Sequence, residues 1–569
     1  FFRGHNRIIG HNIRRWDIPV LERILDINIT CEVVDTLALS WYLEPTRGRH
    51  GLEEHGLDFG IQKPEIDDWH GLELETYIHR CKEDVKINSH LWNKQWNKLR
   101  KIYGEDEDKI WEFLRYLDFK MQCTQKQERD KWKLDVEYCQ ASLDKLLKEK
   151  EEKEETLKGI MPRVPKMAIR KRPKRMEKKD GSLSKGGEIW FEYIVKHDLP
   201  LDTEEIEYIH HYEEPNPNSH DQVKDWLYSV GWVPRTFKYD GKRPIPQINK
   251  DRSQGICDSI KDLFEVEPRL EVLEGLSVLS HRISILQGFL ECQEEGFVKA
   301  SVGGLTNTLR FKHAKPCVNM PKPDKPYAEP VRTSLIAREG YELWGADMAS
   351  LEDRLKQHYI YPLDPKYVES MLQEDFDPHL ALAVIANMLT QEQVDAFKAG
   401  DKTNKKVRDA AKNTNYACQY GAMPPKVAQT AGVDLKTAKR LHTAYWNMNW
   451  AVKAVAEEQK VKTIDYEMWL LNPLNGFYYS LRAEKDIFST LVQGTASYVF
   501  DLWVSIVIRD RDQLTAQFHD EIVLEVKEGH REVITEYLKD SIAETNEALG
   551  LNRELDIGIQ FGKSYAEIH

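Results

Sequence analysis

The spacing of hydrophobic positions changes several times along the chain, and each change marks an element. Near the start, RIIGHN and CEVVDTLALSWYL are short apolar runs of strand character, while SHLWNKQWNKLRKIYG repeats its apolar residues at helical intervals, so residues 1–115 read as an α/β texture. LDFKMQCTQKQERDKWKLDVEYCQASLDKLLKEKEEKEETLKG predicts one long amphipathic helix with a heavily charged polar side, an arm. From about residue 285 strands and helices alternate without obvious linkers. Within that half, YELWGADMASLEDRL predicts a strand ending at Asp347 and a following helix capped by Ser350. LTAQFHDEIVLEV predicts two apolar strands with His519 and Asp520 at the bend between them.

One stretch departs from this texture. MPRVPKMAIRKRPKRMEKKDGSLSKGGEIW sets ten lysines and arginines, from Arg163 to Lys185, against Glu177, Asp180 and Glu188. Pro162, Pro165, Pro173 and the glycines predict a loop or extended insert there. By itself such a run reads equally as a solvated linker or as a loop that contacts phosphates or a partner. The whole chain carries a net charge of −13, which argues against a surface that attracts polyanions everywhere. It leaves room for a local basic groove or a carboxylate site for divalent metal. At 569 residues, 41% hydrophobic and 31% charged, the chain should divide into several globular domains. No apolar run approaches the roughly 18 residues that cross a bilayer, and FFRGHNRIIGHN lacks a signal-peptide core, so a cytoplasmic location is expected. Eight cysteines occur singly, without a CxxC pair, and are expected as reduced thiols.

The chemistry concentrates in three places. RDAAKNTNYACQYG sets Arg408, Lys412, Tyr416 and Tyr420 four residues apart; at about 100° per residue they form one slowly turning stripe on a helix. Two cations one turn apart suit a polyphosphate, and a ring one turn further on can meet a base or sugar. Alone, RxxxK reads as a solvated surface face, but such a face has little use for two rings. Asp347 and Asp520, each at a strand end, read singly as cap or turn residues. Together, two carboxylates and a cationic, aromatic helix are what nucleotidyl transfer by two divalent metals requires.

On these residues the C-terminal half resembles the family A DNA polymerases, the DNA polymerase I family, and most of all its short phage replicases. DMASLEDR (347–354), RDAAKNTNYACQYG (408–421) and HDE (519–521) resemble the family's three catalytic motifs, with DPH (377–379), LNG (474–476) and VQGTA (492–496) between them in the family's order. The resemblance implies an α/β and α+β multidomain fold. A truncated RNase H-like DEDD 3′–5′ exonuclease-like domain would occupy 1–115, and a thumb and the start of the palm 116–300, with a basic insert at about 160–215. Palm and fingers would fill 301–569, the fingers at about 380–450. It further implies DNA-templated DNA synthesis with two Mg2+ ions, for which Mn2+ can substitute, held by Asp347 and Asp520. Lys412 would join them as a catalytic group and, with Arg408 and His379, grip the triphosphate. Glu352 would be the steric gate that selects deoxynucleotides, Tyr416 would pack against the incoming sugar and base, and Tyr420 would occupy the open template site. Arg310, Gln493, His519 and Glu521 are the implied primer-template contacts. Tyr416 stands where many relatives have phenylalanine, which implies ready incorporation of dideoxynucleotides.

IIGHNIRRWDIPVLE, with Asn12 and Asp17, resembles the second exonuclease motif, and YIHRCKEDVKIN, with His79 and Asp84, the third. No Asp-x-Glu pair precedes Asp17, so Asp17 and Asp84 read as a metal-site remnant and proofreading is not expected of this chain. Either the strand bearing that pair lies outside the chain or the domain is a remnant. The basic insert falls where the thumb of phage relatives carries a long basic loop. A processivity factor docking on 160–215 is therefore expected beside primer-template DNA and deoxynucleoside triphosphates, with no membrane partner. GKSYAEIH resembles the family's C-terminus, with His569 near the active site. A single-subunit RNA polymerase would share the aspartates and the Arg/Lys/Tyr helix, but Glu352 and VQGTA favour DNA synthesis. A non-catalytic binding protein should have lost a carboxylate, and a nuclease acting through residues 1–115 would need the absent first motif.

Overall fold

A computed structural model of the protein describes residues 6–240, 243–250, 255–419 and 421–568. The chain divides into two compact units, one of Phe1–Val136, Gly288–Pro323 and Arg332–His569, the other of Glu137–Gln287 and Asp324–Val331.

The first unit is built on an antiparallel sheet whose strands lie in the order Ala516–Phe518, Glu521–Lys527, Tyr341–Met348, Ile557–Gly562. Strand Tyr341–Met348 is central and buries Leu343, Trp344 and Ala346 completely. Helix Ile487–Val507 is apolar almost all round; its Leu491, Val499, Trp503 and Val507 join Leu351 and Leu355 of helix Leu351–Ile360 and Phe113 and Leu117 of helix Glu107–Asp130 in one core. Each such side chain contributes roughly 1.5–3 kcal/mol by burial, which makes this core the rigid base of whatever the sheet presents. Helices Pro378–Ile385, Lys405–Gln419, Pro424–Ala431 and Leu435–Met448 form a smaller core of their own around Leu382, Ala411, Cys418, Val427 and Leu441. The α/β texture of the N-terminal region is present as a parallel pair, Arg7–Gly10 with Glu32–Asp35, beside helices Asp17–Leu25, Thr36–Leu43 and Leu74–Tyr103.

The second unit has a core of Leu157, Trp226, Leu227, Ile256 and Leu270. Beside it helix Lys185–Lys196 sets Trp190 and Ile194 against Ile206 of a β-hairpin.

Three expectations change. The long arm is two helices: Glu107–Asp130 ends at Lys131, which has φ 54°, and strand Trp132–Leu134 intervenes before helix Val136–Ile160. Trp132 and Leu134 are both buried while Lys133 is not, so a strand period was hidden inside the helical pattern. The basic stretch is no free loop: Val164–Lys171 is a strand paired antiparallel with Glu205–Glu213. The partner strand and its flank answer its charges through Arg163–Glu214, Lys166–Glu213 and Lys171–Glu205 at 2.7, 3.3 and 2.8 Å. Arg170 lies over the rings of Tyr193 and Tyr208 at 4.7 and 4.9 Å. Ser350 takes a left-handed conformation, φ 52°, and its side chain makes no capping bond. All eight cysteines are free thiols, and among the described residues no helix is long and apolar enough to cross a membrane.

Candidate active site

Asp347 stands opposite Glu521 on one neighbouring strand and opposite Gly558 on the other. Just beyond it the backbone N–H of Met348 donates to the carbonyl of Asp520 at 2.9 Å. The bend carrying His519 and Asp520 is thereby latched to the central strand, so both aspartates leave the sheet at the same end. His519 accommodates the bend with φ 47°. Gly558 makes room for the first carboxylate, since a Cβ there would lie 2.9 Å from Asp347 Oδ1.

The electrostatics of this end fit a divalent cation. Burial foremost, and the charge of Asp347 to a lesser degree, push the Asp520 carboxyl above its ordinary range, while Arg310 and His519 pull it down. A cation beside Asp520 relieves the cost of charging its carboxylate, and Mg2+ is commonly held by one or two carboxylates plus water and substrate phosphates. Among the described residues no group of three or more His, Cys, Asp and Glu side chains converges. The protein would therefore supply Asp347 and Asp520 and leave the remaining ligands to backbone, water and substrate.

Helix Lys405–Gln419 turns Ala410, Ala411, Thr414 and Cys418 into the core, which leaves the stripe of Arg408, Lys412 and Tyr416 on its open side. Tyr416 is 53% exposed, its ring 5.9 Å from that of His379. Lys412 is exposed and has no carboxylate partner among the described residues. Arg408 Nε donates to Asp377 at 2.6 Å, and the same carboxylate caps helix Pro378–Ile385 by accepting from the N–H groups of His379 and Leu380. His379 Nδ1 meets the Asn415 side-chain amide at 2.9 Å, and burial holds the imidazole below its usual range. His379, Asn415 and Tyr416 line, with Glu352, a cavity of ≈ 370 Å³ that also includes Lys356, Tyr367 and Tyr445.

Arg310 Nη2 donates to Glu352 at 2.6 Å, which ties the expected primer reader to the expected gate. Glu352, Gln419 and Gln493 border an adjoining recess. Glu521 is only 7% exposed and accepts a 3.0 Å hydrogen bond from the Tyr565 hydroxyl, which places it beneath the bend as a support. The LNG and VQGTA motifs meet at Tyr479: Asn475 Nδ2 donates to its hydroxyl, which donates to the Gly494 carbonyl. Tyr420 and His569 lie outside the described residues.

The N-terminal pair is placed differently. Asp17 and Asp84 are close enough for the charge of Asp84, after burial, to raise Asp17. Asp84 is itself answered by Lys63 at 3.1 Å and Arg80 at 3.5 Å, so two cationic side chains stand where a metal would be needed. Asp35, which sequence reasoning passed over, is buried at the end of the parallel strand Glu32–Asp35; it caps helix Thr36–Leu43 and receives the Asn12 N–H. Gly558 and Tyr565 were also missed, although the alternation IGIQFG hinted at a close backbone approach in a strand.

These placements define a class: an antiparallel sheet that offers two neighbouring carboxylates at one end, followed by a cavity walled by a helix with an open cationic face. The comparisons with known proteins point the same way. The family model described as DNA polymerase family A matches residues 196–567. The thermostable DNA polymerase I of Thermus aquaticus is 23% identical over 60% of this chain and 41% of its own length. The thermostable DNA polymerase I of Thermus filiformis is 26% identical over 46% of the chain and 31% of its own, and the DNA polymerase I of Pseudomonas aeruginosa is 26% identical over 42% and 26%. The chain thus spans less than half the length of these curated relatives. A solved structure, the POL domain of Pol1 from M. smegmatis in complex with DNA primer-template and dNTP, aligns with a TM-score of 0.64 at 16% identity over 94% of this chain and 82% of that one, which shows a shared fold. The chain belongs to DNA polymerase family A.

Proposed function

We propose that this chain is a DNA-templated DNA polymerase that adds deoxynucleotides to a primer 3′ end. The observation that carries the reading is the latch between Met348 and Asp520, which sets Asp347 and Asp520 at one end of the sheet. Two Mg2+ ions, with Mn2+ able to replace them, would be held by these carboxylates; bound there they would supply charge stabilisation for the attacking and leaving oxygens. The side chains around them do the positioning. Lys412 and Arg408 face the triphosphate as point charge and fork, with Arg408 kept in orientation by Asp377. His379, held neutral by burial, offers Nε2 to a phosphate oxygen while Nδ1 is engaged by Asn415. Tyr416 packs against the sugar and base, and Glu352 closes the space a 2′-hydroxyl would need. Arg310, Gln493 and His519 face the primer terminus, and Glu521 supports the bend from below.

Residues 301–569 correspond to palm and fingers in this reading, 116–300 to the thumb region, and 1–115 to an exonuclease-like domain whose Asp84 is ion-paired with Lys63 and Arg80. The basic hairpin region supports a replicative enzyme that takes a processivity partner there. The test is primer extension on primed single-stranded DNA with Mg2+ and deoxynucleotides, beside Asp520→Ala. Extension that disappears in the variant is expected; extension that persists in it refutes the assignment.

A further inference from the structure

The helix Ile487–Val507 carries a charge where its apolar pattern has no need of one. Asp501 is 2% exposed, and so is its partner Lys120 of helix Glu107–Asp130, whose Nζ donates to Asp501 Oδ2 at 2.6 Å. The Tyr116 hydroxyl donates to the same oxygen at 2.7 Å, and Gln517 Nε2 donates to Oδ1 at 3.1 Å. A buried ion pair is weak evidence for stability, because apolar residues of similar volume often hold a core as well or better. What such a pair does offer is direction, since every donor around it must point one way.

The direction matters because of what hangs from each member. Gln517 lies on the three-residue edge strand Ala516–Phe518, two residues before His519 and three before Asp520. Its side chain is buried, and among the described residues its Oε1 has no hydrogen-bond partner, so the bond to Asp501 fixes how the amide sits. Lys120 Nζ lies 4.4 Å from the ring centroid of Phe311, the residue after Arg310. Gln493 precedes Asp501 by eight residues on the same helix, about two turns or 12 Å. The segments that bear Arg310, Gln493 and His519 thus share no secondary structure, and each places one residue, Phe311, Asp501 or Gln517, in one buried carboxylate–ammonium cluster.

We propose that Lys120 and Asp501 are positioning residues that set the mutual register of the three primer-terminus contacts and of the bend bearing Asp520. The inference rests on the polymerase reading and adds to it how discrimination at the primer end is built. A functional constellation has to be held to about 0.5 Å by groups behind it. This pair is the element common to all three supports.

The test uses the full chain and two variants. Gln517→Leu leaves the ion pair intact and cuts its link to the bend. Lys120→Met combined with Asp501→Leu replaces the pair by apolar side chains of similar size. Melting temperature, the Kd for deoxynucleotide and the single-turnover addition rate are measured on matched and terminally mismatched primers. In both variants, melting temperature and deoxynucleotide Kd are expected to stay close to those of the parent. The matched rate should fall at least about tenfold and the mismatched rate less than about threefold, so that discrimination narrows. Unchanged discrimination in Gln517→Leu, or an equal loss on both primers, overturns the proposal and leaves the pair a core contact. A parent protein that extends no matched primer refutes the polymerase reading and this inference with it, whereas an active parent with unaltered variants refutes this inference alone.

Discussion

The tightest steric constraint at the site is also the easiest to disturb. In Gly558→Ala the added Cβ would sit 2.9 Å from Asp347 Oδ1, where ordinary van der Waals contact begins at 3.4 Å. The carboxylate must therefore retreat by about 0.5 Å, or more if the contact is to relax fully. Because the opposing atom is the free end of a side chain and not backbone, the fold can accept the methyl group by rotating Asp347. Gly558 also has no positive φ to lose. Melting temperature should change little. Activity should not be spared, since misplacements approaching 1 Å of a group that organises reacting atoms cost about 10²-fold in rate. We expect kcat for deoxynucleotide addition to fall between about 10- and 100-fold, equivalent to about 1.4–2.7 kcal/mol of transition-state stabilisation. The primer-template Kd should be unaltered, because phosphate contacts elsewhere dominate it. Steady-state extension, a binding titration and a thermal melt suffice. A variant with parental kcat would show that Asp347 is not held where the chemistry needs it, and a variant that loses its fold would show that the strand cannot accept a methyl group.

Other consequences are separable. Tyr416→Phe should raise discrimination against dideoxynucleotides without altering deoxynucleotide addition, measured as termination ratios on one template; unchanged ratios would remove the phenol from sugar selection. Replacing Arg172, Lys174, Arg175, Lys178 and Lys179 by serine, which spares the paired Arg163, Lys166 and Lys171 and the stacked Arg170, should shorten processive products and flatten the salt dependence of DNA binding while single-nucleotide addition persists. Equal losses in both assays would argue for a folding defect in the hairpin. Burial holds His11 at about 3 and His55 at about 4, against 6.5 in the unfolded chain. As pH falls below about 6.5 the unfolded state binds these protons first, so stability is lost through the window down to about 4. Asp35, pushed up to about 6 by burial, opposes this by keeping its proton in the folded state between roughly 3.8 and 6, but His313, held at about 4 by burial, adds to the loss. Melting temperatures across pH 7 to 4 should fall, less steeply in His11→Gln and more steeply in Asp35→Asn; parallel curves for all three proteins would refute the assignment.

The parts of the fold that were legible are those whose side chains obey one period over enough residues. Strand Tyr341–Met348 and the hairpin around His519 announced themselves because apolar runs end abruptly at a charge, and the structure moves the first boundary only from Asp347 to Met348. The break at Lys131 was hidden because three residues, Trp132 to Leu134, are too few to overrule the helical pattern on either side. The basic stretch misled for another reason. Its alternation is real, but the acidic strand that answers it begins at Glu205, more than thirty residues after Lys171, and no local window contains both.

The same division explains what could be read of the candidate site. Arg408, Lys412 and Tyr416 share one helix face, so spacing alone gathers them. Asp347 and Asp520 are separated by 173 residues and were joined by motif resemblance; the latch that unites them is a backbone bond from Met348, to which side-chain identity contributes nothing. The supporting shell is less legible still, because its members act through partners from other segments. Tyr565 matters through Glu521, Asp377 through Arg408, and Lys120 through Asp501 and Gln517. Each is an ordinary residue type in an ordinary local setting. Lys120 even falls among apolar neighbours on a helix whose polar face seemed the natural place for it. A buried lysine costs several kcal/mol unless its charge is met, so finding one at 2% exposure with a carboxylate at 2.6 Å means that the partner's position is as strictly required as that of any catalytic group. The residues that touch substrate can be recognised one at a time; the residues that hold them in register can be recognised only in pairs.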